Sequence, residues 1–331
     1  MPQSAPDRLI DPLLDVRGLK VQFGKDRPLT VVDGVDLAIA PGEIVGLVGE
    51  SGCGKTVFSL SLLGLVASGG RITEGEVRWR NRNLLACEEK ELRTVRGKEI
   101  AFIFQNPQSS LNPARTIGDQ LVSVLRLHRN LSKSEAWAEA LRLVGIVRLP
   151  GAEQALRAYP HQFSGGMCQR VMIAMALSCQ PKLLIADEPT ASLDVTIQAQ
   201  IMDLLLDIRR EFGMAILLVS HDLGVIARMC DRIAVMYLGR IVELARSHDL
   251  YRSPKHPYTQ ALLRSVPVPD PSRREKLPLL EGETPSPAQV RPGECRFRDR
   301  CDQAIARCRE MDPPLHPVAG TDQQAACILY P

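Results

Sequence analysis

The stretch "IVGLVGESGCGKT", residues 44–56, joins a short apolar run to a glycine-rich segment. Residues 44–48 are rich in β-branched side chains and are followed by glycine, so they predict a buried strand. Residues 49–56 fit the pattern G-x-x-x-x-G-K-[ST]. In that pattern, glycines let backbone N–H groups surround phosphate oxygens, and the next helix presents its positive N-terminal end. The stretch therefore predicts a strand, a phosphate-binding loop and a helix, in that order.

The phosphate-binding loop has specific expected contacts. Lys55 can reach the β- and γ-phosphates, and Thr56 can place its hydroxyl on Mg²⁺. The alternative, a chance glycine-rich turn, is disfavoured because a strand pattern precedes the motif and the apolar stretch "VFSLSLLGLV" follows it. The predicted ATP-binding residues of this loop are Gly49, Glu50, Ser51, Gly52, Cys53, Gly54, Lys55 and Thr56.

A second motif, "LLIADEP" at residues 183–189, places two acids at the end of an apolar strand pattern. We expect Asp187 to hold Mg²⁺, directly or through water, and Glu188 to polarise the water that attacks the phosphate. A strand that ends in solvated acids is common in isolation. The phosphate-binding loop in the same chain favours the catalytic interpretation.

Four further apolar runs predict buried strands: residues 100–104, 183–186, 215–219 and 232–237. Helical patterns lie between several of them, and this alternation predicts an α/β fold with a mainly parallel sheet covered by helices. Residues 112–160 lack strand patterns and predict a helical insert. Within that insert, Ser132 and Glu135 have the spacing of a capping box, which predicts the start of a helix.

A third motif, "FSGGMCQRVMIAMAL" at residues 163–177, places a serine and two glycines just before a helical run. It predicts a second helix N-terminus that faces phosphate. One nucleotide site does not need two phosphate-facing helix N-termini from the same chain. Two chains that face each other need both, because the second N-terminus of each chain then completes the nucleotide site of the other. The pattern resembles the signature motif of ATP-binding cassette (ABC) ATPases, and the residues that this resemblance assigns to the partner chain's nucleotide are Ser164, Gly165, Gly166 and Met167.

The other motifs of that family follow in the expected order over about residues 13–265. Gln105 matches the Q-loop glutamine that contacts Mg²⁺ and the water, Asp194 in "ASLD" matches the D-loop, and His221 matches the switch histidine. Phe23 stands where the family places an aromatic side chain that stacks on adenine, although burial in the core explains it equally well. The resemblance implies catalytic roles for Glu188, His221 and Gln105, and Mg²⁺ ligation by Thr56, Gln105 and Asp187.

Three departures from the commoner pattern of the family involve four positions. Thr56 replaces serine and keeps the hydroxyl. Met167 and Cys168 stand where relatives often have glutamine and arginine, and Ala191 stands where the D-loop often has a hydroxyl residue. None of these changes removes a catalytic group, and the last two concern the contact between two chains.

Four classes of ABC protein compete: importer, exporter, chromosome-maintenance or repair ATPase, and translation factor. Repair ATPases divide their motifs with a long coiled coil, whereas the stretch between Lys55 and Asp187 has no sustained heptads. Translation factors carry two cassettes per chain, and exporters are usually fused to spanning helices. This sequence has one set of motifs, and no apolar run nears the ~18 residues that a spanning helix needs. These points favour an importer subunit that docks on membrane partners.

Finer matches, such as "IFQNPQSSLNP", "YPHQFSGGM" and "HPYTQALL", resemble the ATPase subunits of dipeptide and oligopeptide importers. Nickel and glutathione importers share this subfamily, so nickel or glutathione import stays an alternative to peptide import, with a non-transport ABC ATPase as a further one. "HPYTQALL" has no role in ATP chemistry, and plain core packing explains its helical spacing equally well. The implied partners are a second, related ATPase subunit in a heterodimer, two membrane permease subunits and an external substrate-binding protein, with no nucleic acid.

The composition agrees with these assignments. The chain has 331 residues, of which 45% are apolar and 24% charged, and its net charge is +3, so composition neither demands nor excludes an anionic partner. The N-terminus, "MPQSAPDRLIDPLLDV", has no basic region followed by an apolar core, which predicts no secretory signal. We therefore expect a peripheral protein on the cytoplasmic face of the cell membrane.

Three segments are expected along the chain. An ABC ATPase domain at residues 11–265 contains the helical insert at about 106–175. A linker at residues 266–294 is rich in proline, which fixes φ and cannot donate a ladder hydrogen bond. The remaining segment, residues 295–331, is named the cysteine-rich module below.

The cysteine-rich module contains four of the nine cysteines of the chain. Free thiols, a zinc site and an iron–sulfur cluster are the alternatives. A structural zinc site would favour closely paired cysteines, whereas a cluster needs four thiolates and tolerates wider spacing. The module is also short of apolar residues and would gain from a metal. The resemblance adds that some peptide-importer ATPases hold a [4Fe–4S] cluster in such an extension. We expect one cluster of structural or regulatory role, with zinc as the alternative, on Cys295, Cys301, Cys308 and Cys327.

Overall fold

The computed structural model describes residues 11–191, 193–265 and 284–330. These residues form two compact units. The first unit contains the described parts of Met1–Ala40, Ile44–Ala86 and Ser220–Pro331. The second unit contains Pro41–Glu43 and the described part of Cys87–Val219.

The strands and helices are numbered in chain order. The strands are β1 Leu14–Phe23, β2 Leu29–Ile39, β3 Ile44–Val48, β4 Gly70–Trp79, β5 Arg82–Asn83, β6 Ile100–Ile103, β7 Leu183–Asp187, β8 Ala215–Ser220, β9 Arg232–Tyr237, β10 Arg240–Arg246, β11 His316–Pro317 and β12 Gln324–Ala325. The helices are α1 Lys55–Ser61, α2 Glu89–Val95, α3 Pro107–Ser110, α4 Ile117–Arg129, α5 Lys133–Ile146, α6 Ala152–Arg157, α7 Gly165–Leu177, α8 Val195–Phe212, α9 Leu223–Met229, α10 Ser247–Arg252 and α11 Pro257–Arg264.

The first unit contains two sheet segments. One is antiparallel, with the strand order β2-β1-β4-β5. In the other, the order is β11-β12-β10-β9-β3, and β3 runs parallel to β9. Strand β3 is buried along its whole length, as expected for an apolar run with covered faces. The loop that follows β3 leads into α1.

The second unit contains parallel strands in the order β8-β7-β6 and the helices α2 to α8. Between β6 and β7, where every residue is described, the chain forms helices α3 to α7 and no strand. Helix α5 begins with the predicted capping box, in which Ser132 and Glu135 each satisfy the other's backbone N–H. The helical insert therefore forms where the strand patterns are missing.

The described part of the cysteine-rich module belongs to the first unit. Strand β12 pairs with β10 through Ala325 opposite Glu243, so the module adds strands to that sheet. Of the predicted linker, residues 266–283 lie outside the described residues, and a short 3₁₀ turn occupies Pro287–Gln289.

An ion-pair network fixes the module to the rest of the first unit. Asp33 of β2 pairs with Arg296 and, at 3.1 Å, with Arg240, while Asp312 pairs with Arg240 at 2.7 Å. Arg296 also donates to the carbonyl of Leu238 at 2.6 Å. Burial alone would raise the pKa of Asp33, but the two arginines and Lys20 together lower it. The network therefore favours the charged carboxylate.

Candidate functional site

The glycines of the phosphate-binding loop, residues 49–56, lie against neighbouring backbone. A Cβ on Gly49 would come within 2.2 Å of the carbonyl oxygen of Met236. Gly54 has a φ of +108°, and a Cβ there would come within 2.7 Å of the carbonyl oxygen of Val31. Only glycine fits at these two positions, because any side chain would collide with neighbouring backbone. This close packing fixes the path of the loop.

Lys55 lies across this loop. Its Nζ donates to the carbonyl oxygens of Gly49 at 2.8 Å and Glu50 at 3.1 Å, and the residue is buried. Cys53 is buried beside it, and burial raises the pKa of that thiol. The three exposed positions of the loop, which face solvent, are Ser51, Gly52 and Thr56.

Phe23 and His221 also belong to the first unit. Phe23 ends β1 and is half-buried, with its ring so close to Gly70 that a Cβ there would be 2.7 Å away. Its stacking on adenine stays a prediction. His221 is exposed and follows β8. The next residue, Asp222, caps α9 by accepting from Gly224 N at 2.8 Å, which fixes the backbone just after the histidine.

Gln105 and Glu188 meet in the second unit. Gln105 Nε2 donates to Glu188 Oε2 at 3.0 Å. Asp187 ends β7 and is 2% exposed. Glu188 has a φ of +46°, a conformation that costs a non-glycine residue about 1–3 kcal/mol, and its N–H donates to Val219 O at 2.9 Å. A strained backbone at a residue whose carboxylate accepts a hydrogen bond from Gln105 is a feature that clusters at catalytic positions.

The signature and D-loop segments lie side by side in the second unit. Ser164 caps α7, and its hydroxyl accepts from Met167 N at 3.3 Å. Asp194 caps α8 and accepts from Ile197 N at 3.0 Å. A Cβ on Gly166 would come within 2.6 Å of the Ile197 side chain, so the two helix starts are in contact. The sequence did not predict this contact, and Ser192 of the D-loop lies outside the described residues.

Each unit thus holds its own part of the predicted set. The first unit holds Phe23, the loop Gly49–Thr56 and His221, and the second holds Gln105, Asp187, Glu188, Ser164–Met167 and Asp194. Sequence reasoning missed two further residues that contact the phosphate-binding loop, Tyr258 and Arg300. The "HPYTQALL" stretch was the only signal for the first of them.

The four cysteines of the cysteine-rich module lie near one another. Cys295 N donates to Cys308 O at 2.8 Å. Burial raises the pKa of Cys295 to about 11, and the thiolates of Cys308 and Cys327 add to this increase. Burial also raises the pKa of Cys301, with contributions from the same two thiols. Among the described residues, however, no group of three or more histidine, cysteine or acidic side chains is arranged to hold a metal ion. The predicted [4Fe–4S] cluster is therefore not supported by this arrangement and stays a prediction.

Comparisons with known proteins agree with the predicted family. The family model "ABC transporter" matches residues 32–191, and the model "Oligopeptide/dipeptide transporter, C-terminal region" matches residues 242–308. The oligopeptide transport ATP-binding protein AppD of Bacillus subtilis is 49% identical over 320 residues, which cover 96% of this chain and 97% of that protein. This chain belongs to the ATP-binding proteins of oligopeptide and dipeptide ABC transporters.

Other members of this ABC family show similar agreement. The dipeptide transport ATP-binding protein DppD of Haemophilus influenzae is 47% identical, with 92% of each chain covered. Among solved structures, the dimeric ATP-binding cassette MJ0796, bound to ADP and Pi after hydrolysis, matches with a TM-score of 0.64 and 29% identity. That match covers 71% of this chain and 98% of MJ0796. The predicted α/β ABC fold and ATPase activity are confirmed. No helix in the described parts of the chain is both long and apolar enough to cross a membrane.

Proposed function

We propose that this chain hydrolyses ATP to power the import of di- or oligopeptides through a membrane transporter. The observation that carries this proposal is similarity over 96% of the chain to an oligopeptide transport ATP-binding protein, together with the match of the C-terminal region to the oligopeptide and dipeptide family model. The match of residues 32–191 to the ABC transporter model supports the ATPase activity. The match of residues 242–308 to the oligopeptide and dipeptide model supports a role in peptide transport.

In the proposed site, the loop Gly49–Thr56 binds the phosphates, with Lys55 on the β- and γ-phosphates and Phe23 against the adenine. Thr56, Gln105 and Asp187 would be the ligands of Mg²⁺, since this ion prefers oxygen donors, and the ion would neutralise phosphate charge. Glu188 accepts a proton from the attacking water. Gln105 supports this role because its amide holds the Glu188 carboxylate at 3.0 Å. His221 contacts the γ-phosphate.

Two cassettes are proposed to close head to tail, with Ser164–Met167 and Asp194 of one chain facing the other chain's nucleotide. The dimeric state of the similar cassette MJ0796 supports this arrangement. Val195, next to the D-loop, is 83% exposed although it is apolar, which suits a surface that a partner covers. In this subfamily the second chain is proposed to be a related ATPase, which makes a heterodimer.

A substitution at Ser164 tests the action across the dimer. Ser164→Asp keeps a side chain that can cap α7 but adds a negative charge, so we expect it to slow hydrolysis about tenfold at the site whose phosphate-binding loop belongs to the partner. The matched control is Ser164→Asn, which keeps the cap without the charge. ATPase rates are measured in mixed assemblies in which one chain's loop carries a Lys-to-Ala change. Loss confined to the chain's own nucleotide would rule out the head-to-tail arrangement.

The permease partners are proposed to dock on the second unit. An open groove of about 450 Å³ is lined there by apolar side chains, among them Phe102, Leu111 and Met172. Phe104 also lines it, is 44% exposed and directly precedes Gln105, so a docked segment would lie beside the glutamine that holds Glu188. This placement supports a peripheral position on the cytoplasmic face of the membrane. A substrate-binding protein outside the membrane would deliver the peptide.

A [4Fe–4S] cluster is proposed for the cysteine-rich module, with zinc as the alternative. Four thiols in one small segment are a suitable donor set for a cluster, although their present arrangement is not that of ligands. Protein purified without oxygen is expected to absorb in the visible range and to contain about four iron atoms per chain. Cys308→Ser should lose both signals, while Cys87→Ser, outside the module, should keep them. A colourless protein with one zinc per chain would favour zinc, and a metal-free protein with reactive tail thiols would contradict both.

A further inference from the structure

Two side chains from the C-terminal part of the chain hold the phosphate-binding loop at Glu50. The hydroxyl of Tyr258 accepts a hydrogen bond from Glu50 N at 2.9 Å. The guanidinium of Arg300 pairs with both carboxylate oxygens of Glu50, at 2.7 and 2.9 Å. The loop is thus fixed through its backbone and through its one acidic side chain, and bidentate pairs of this kind also fix orientation.

The Glu50–Arg300 pair is largely removed from water. The Arg300 side chain is 6% exposed and that of Glu50 is 22% exposed. The guanidinium lies over the ring of Tyr237 at 6.0 Å, and this ring contacts Tyr258 with centroids 4.6 Å apart. Phe297 packs edge-on against both tyrosines at 5.3 Å. The aromatic group therefore places Arg300 and Tyr258 together on the loop.

Tyr258 is itself positioned by the sheet that the cysteine-rich module extends. His256 Nδ1 accepts from Tyr258 N at 3.0 Å, and the fully buried carboxylate of Glu243 accepts from the N–H groups of Lys255 at 2.7 Å and His256 at 2.8 Å. Glu243 lies on β10 opposite Ala325 of β12. A continuous set of bonds thus connects the module, through β10 and the start of α11, to the phosphate-binding loop.

The charge of Glu50 gives this contact a consequence for nucleotide binding. An unpaired carboxylate in a loop that binds phosphates would repel them, and a pairing cation removes most of that repulsion. We infer that Arg300 and Tyr258 are positioning residues that set the affinity of the phosphate-binding loop for nucleotide, so that the cysteine-rich module controls ATP binding. This inference rests on the proposed role of residues 49–56.

The first test compares two arginines of the module in the full chain. Arg300→Met leaves the Glu50 carboxylate unpaired, so we expect the Kd for Mg-ATP to rise about tenfold. In the assembled transporter, KM for ATP should rise by a similar factor while kcat at saturating ATP changes less than about twofold. The matched control is Arg298→Met. Arg298 is 8% exposed and pairs with Asp299 of the module at 3.0 Å and with Glu294, the residue just before the module. Neither partner belongs to the phosphate-binding loop. Its loss should leave the Kd within about twofold of the parent value.

The second test is rescue. Combining Glu50→Gln with Arg300→Met removes both charges, and the Kd is expected to be at least about threefold lower than that of Arg300→Met alone. Tyr258→Phe keeps the ring and removes the hydroxyl, which should raise the Kd about threefold, and it serves if the Arg300 variant does not fold. Equal losses in the Arg300 and Arg298 variants, or no rescue, would show general damage and overturn the inference.

Lys55→Ala separates the inference from the proposed function. If Lys55→Ala loses Mg-ATP binding while Arg300→Met and Tyr258→Phe bind like the parent protein, the positioning role is wrong and the loop assignment stands. If Lys55→Ala also binds normally, the loop assignment itself is wrong, and the inference fails with it.

Discussion

Glu188→Gln is expected to stop most ATP hydrolysis while leaving ATP binding intact. The amide has nearly the shape of the carboxylate, and its oxygen can still accept from Gln105, which donates to Glu188 at 3.0 Å in this structure. The amide cannot take a proton from water, and a positioned base contributes about 10²- to 10⁴-fold to the rate. The measurement is the ATPase rate of the assembled transporter, with the affinity for Mg-ATP determined in parallel.

A suitable control is Glu211→Gln, which makes the same chemical change at an exposed glutamate of the second unit. Its ATPase rate should equal that of the parent protein. If the Glu188 variant hydrolyses ATP within about twofold of the parent rate, Glu188 is not the base. A loss much smaller than 10²-fold would instead assign more of the catalysis to His221.

The parallel strands could be predicted because their burial leaves a simple signal in the sequence. Residues 44–48 and 233–237 are continuous apolar runs, and the structure has strands at 44–48 and 232–237. The antiparallel sheet gave no such signal. In β1, burial alternates but is interrupted at Gly18, where the pairing register with β2 shifts. A pattern of period two that changes phase within ten residues is hard to detect in a single sequence.

The site shows the same difference between local and distant information. The family resemblance implied that Gln105 and Glu188 belong to one site, and the structure joins them by a hydrogen bond. No local pattern connects Glu50 with Tyr258 or Arg300, which follow it by 208 and 250 residues. Tyr258 lies on α11, and Arg300 lies in the cysteine-rich module, which adds β12 to the sheet of the first unit. Such a pairing is a tertiary property, and single-sequence periodicity carries no record of it.

The cysteines illustrate a second limit. Their number and clustering predicted a metal site, and in the structure Cys308 and Cys327 lie close enough to Cys295 and to Cys301 to raise the pKa of both. Ligand geometry depends on the exact direction of each side chain, which spacing in sequence does not determine. The iron and zinc content of the purified protein therefore distinguishes the cluster from the zinc site.

Lys55→Ala is expected to weaken the binding of Mg-ATP by about 10²-fold, because it removes the one positive charge of the loop. Lys55 Nζ now donates to the carbonyls of Gly49 and Glu50, so the loop also loses two internal hydrogen bonds. Calorimetric titration of the full chain measures the affinity directly. The increase in Tm that saturating Mg-ATP produces in the parent protein should shrink in the variant, because ligand stabilisation follows the ratio of ligand concentration to Kd.

Lys90→Ala provides the control for this prediction, since it removes the same charge from an exposed position on α2. It should bind Mg-ATP like the parent protein, which excludes a general effect of net charge. The Tm without nucleotide separates two causes of weak binding in the Lys55 variant. A large drop would assign the loss to a damaged loop, whereas a Tm near that of the parent would assign it to the missing charge. An unchanged affinity for Mg-ATP would show that residues 49–56 do not bind the phosphates.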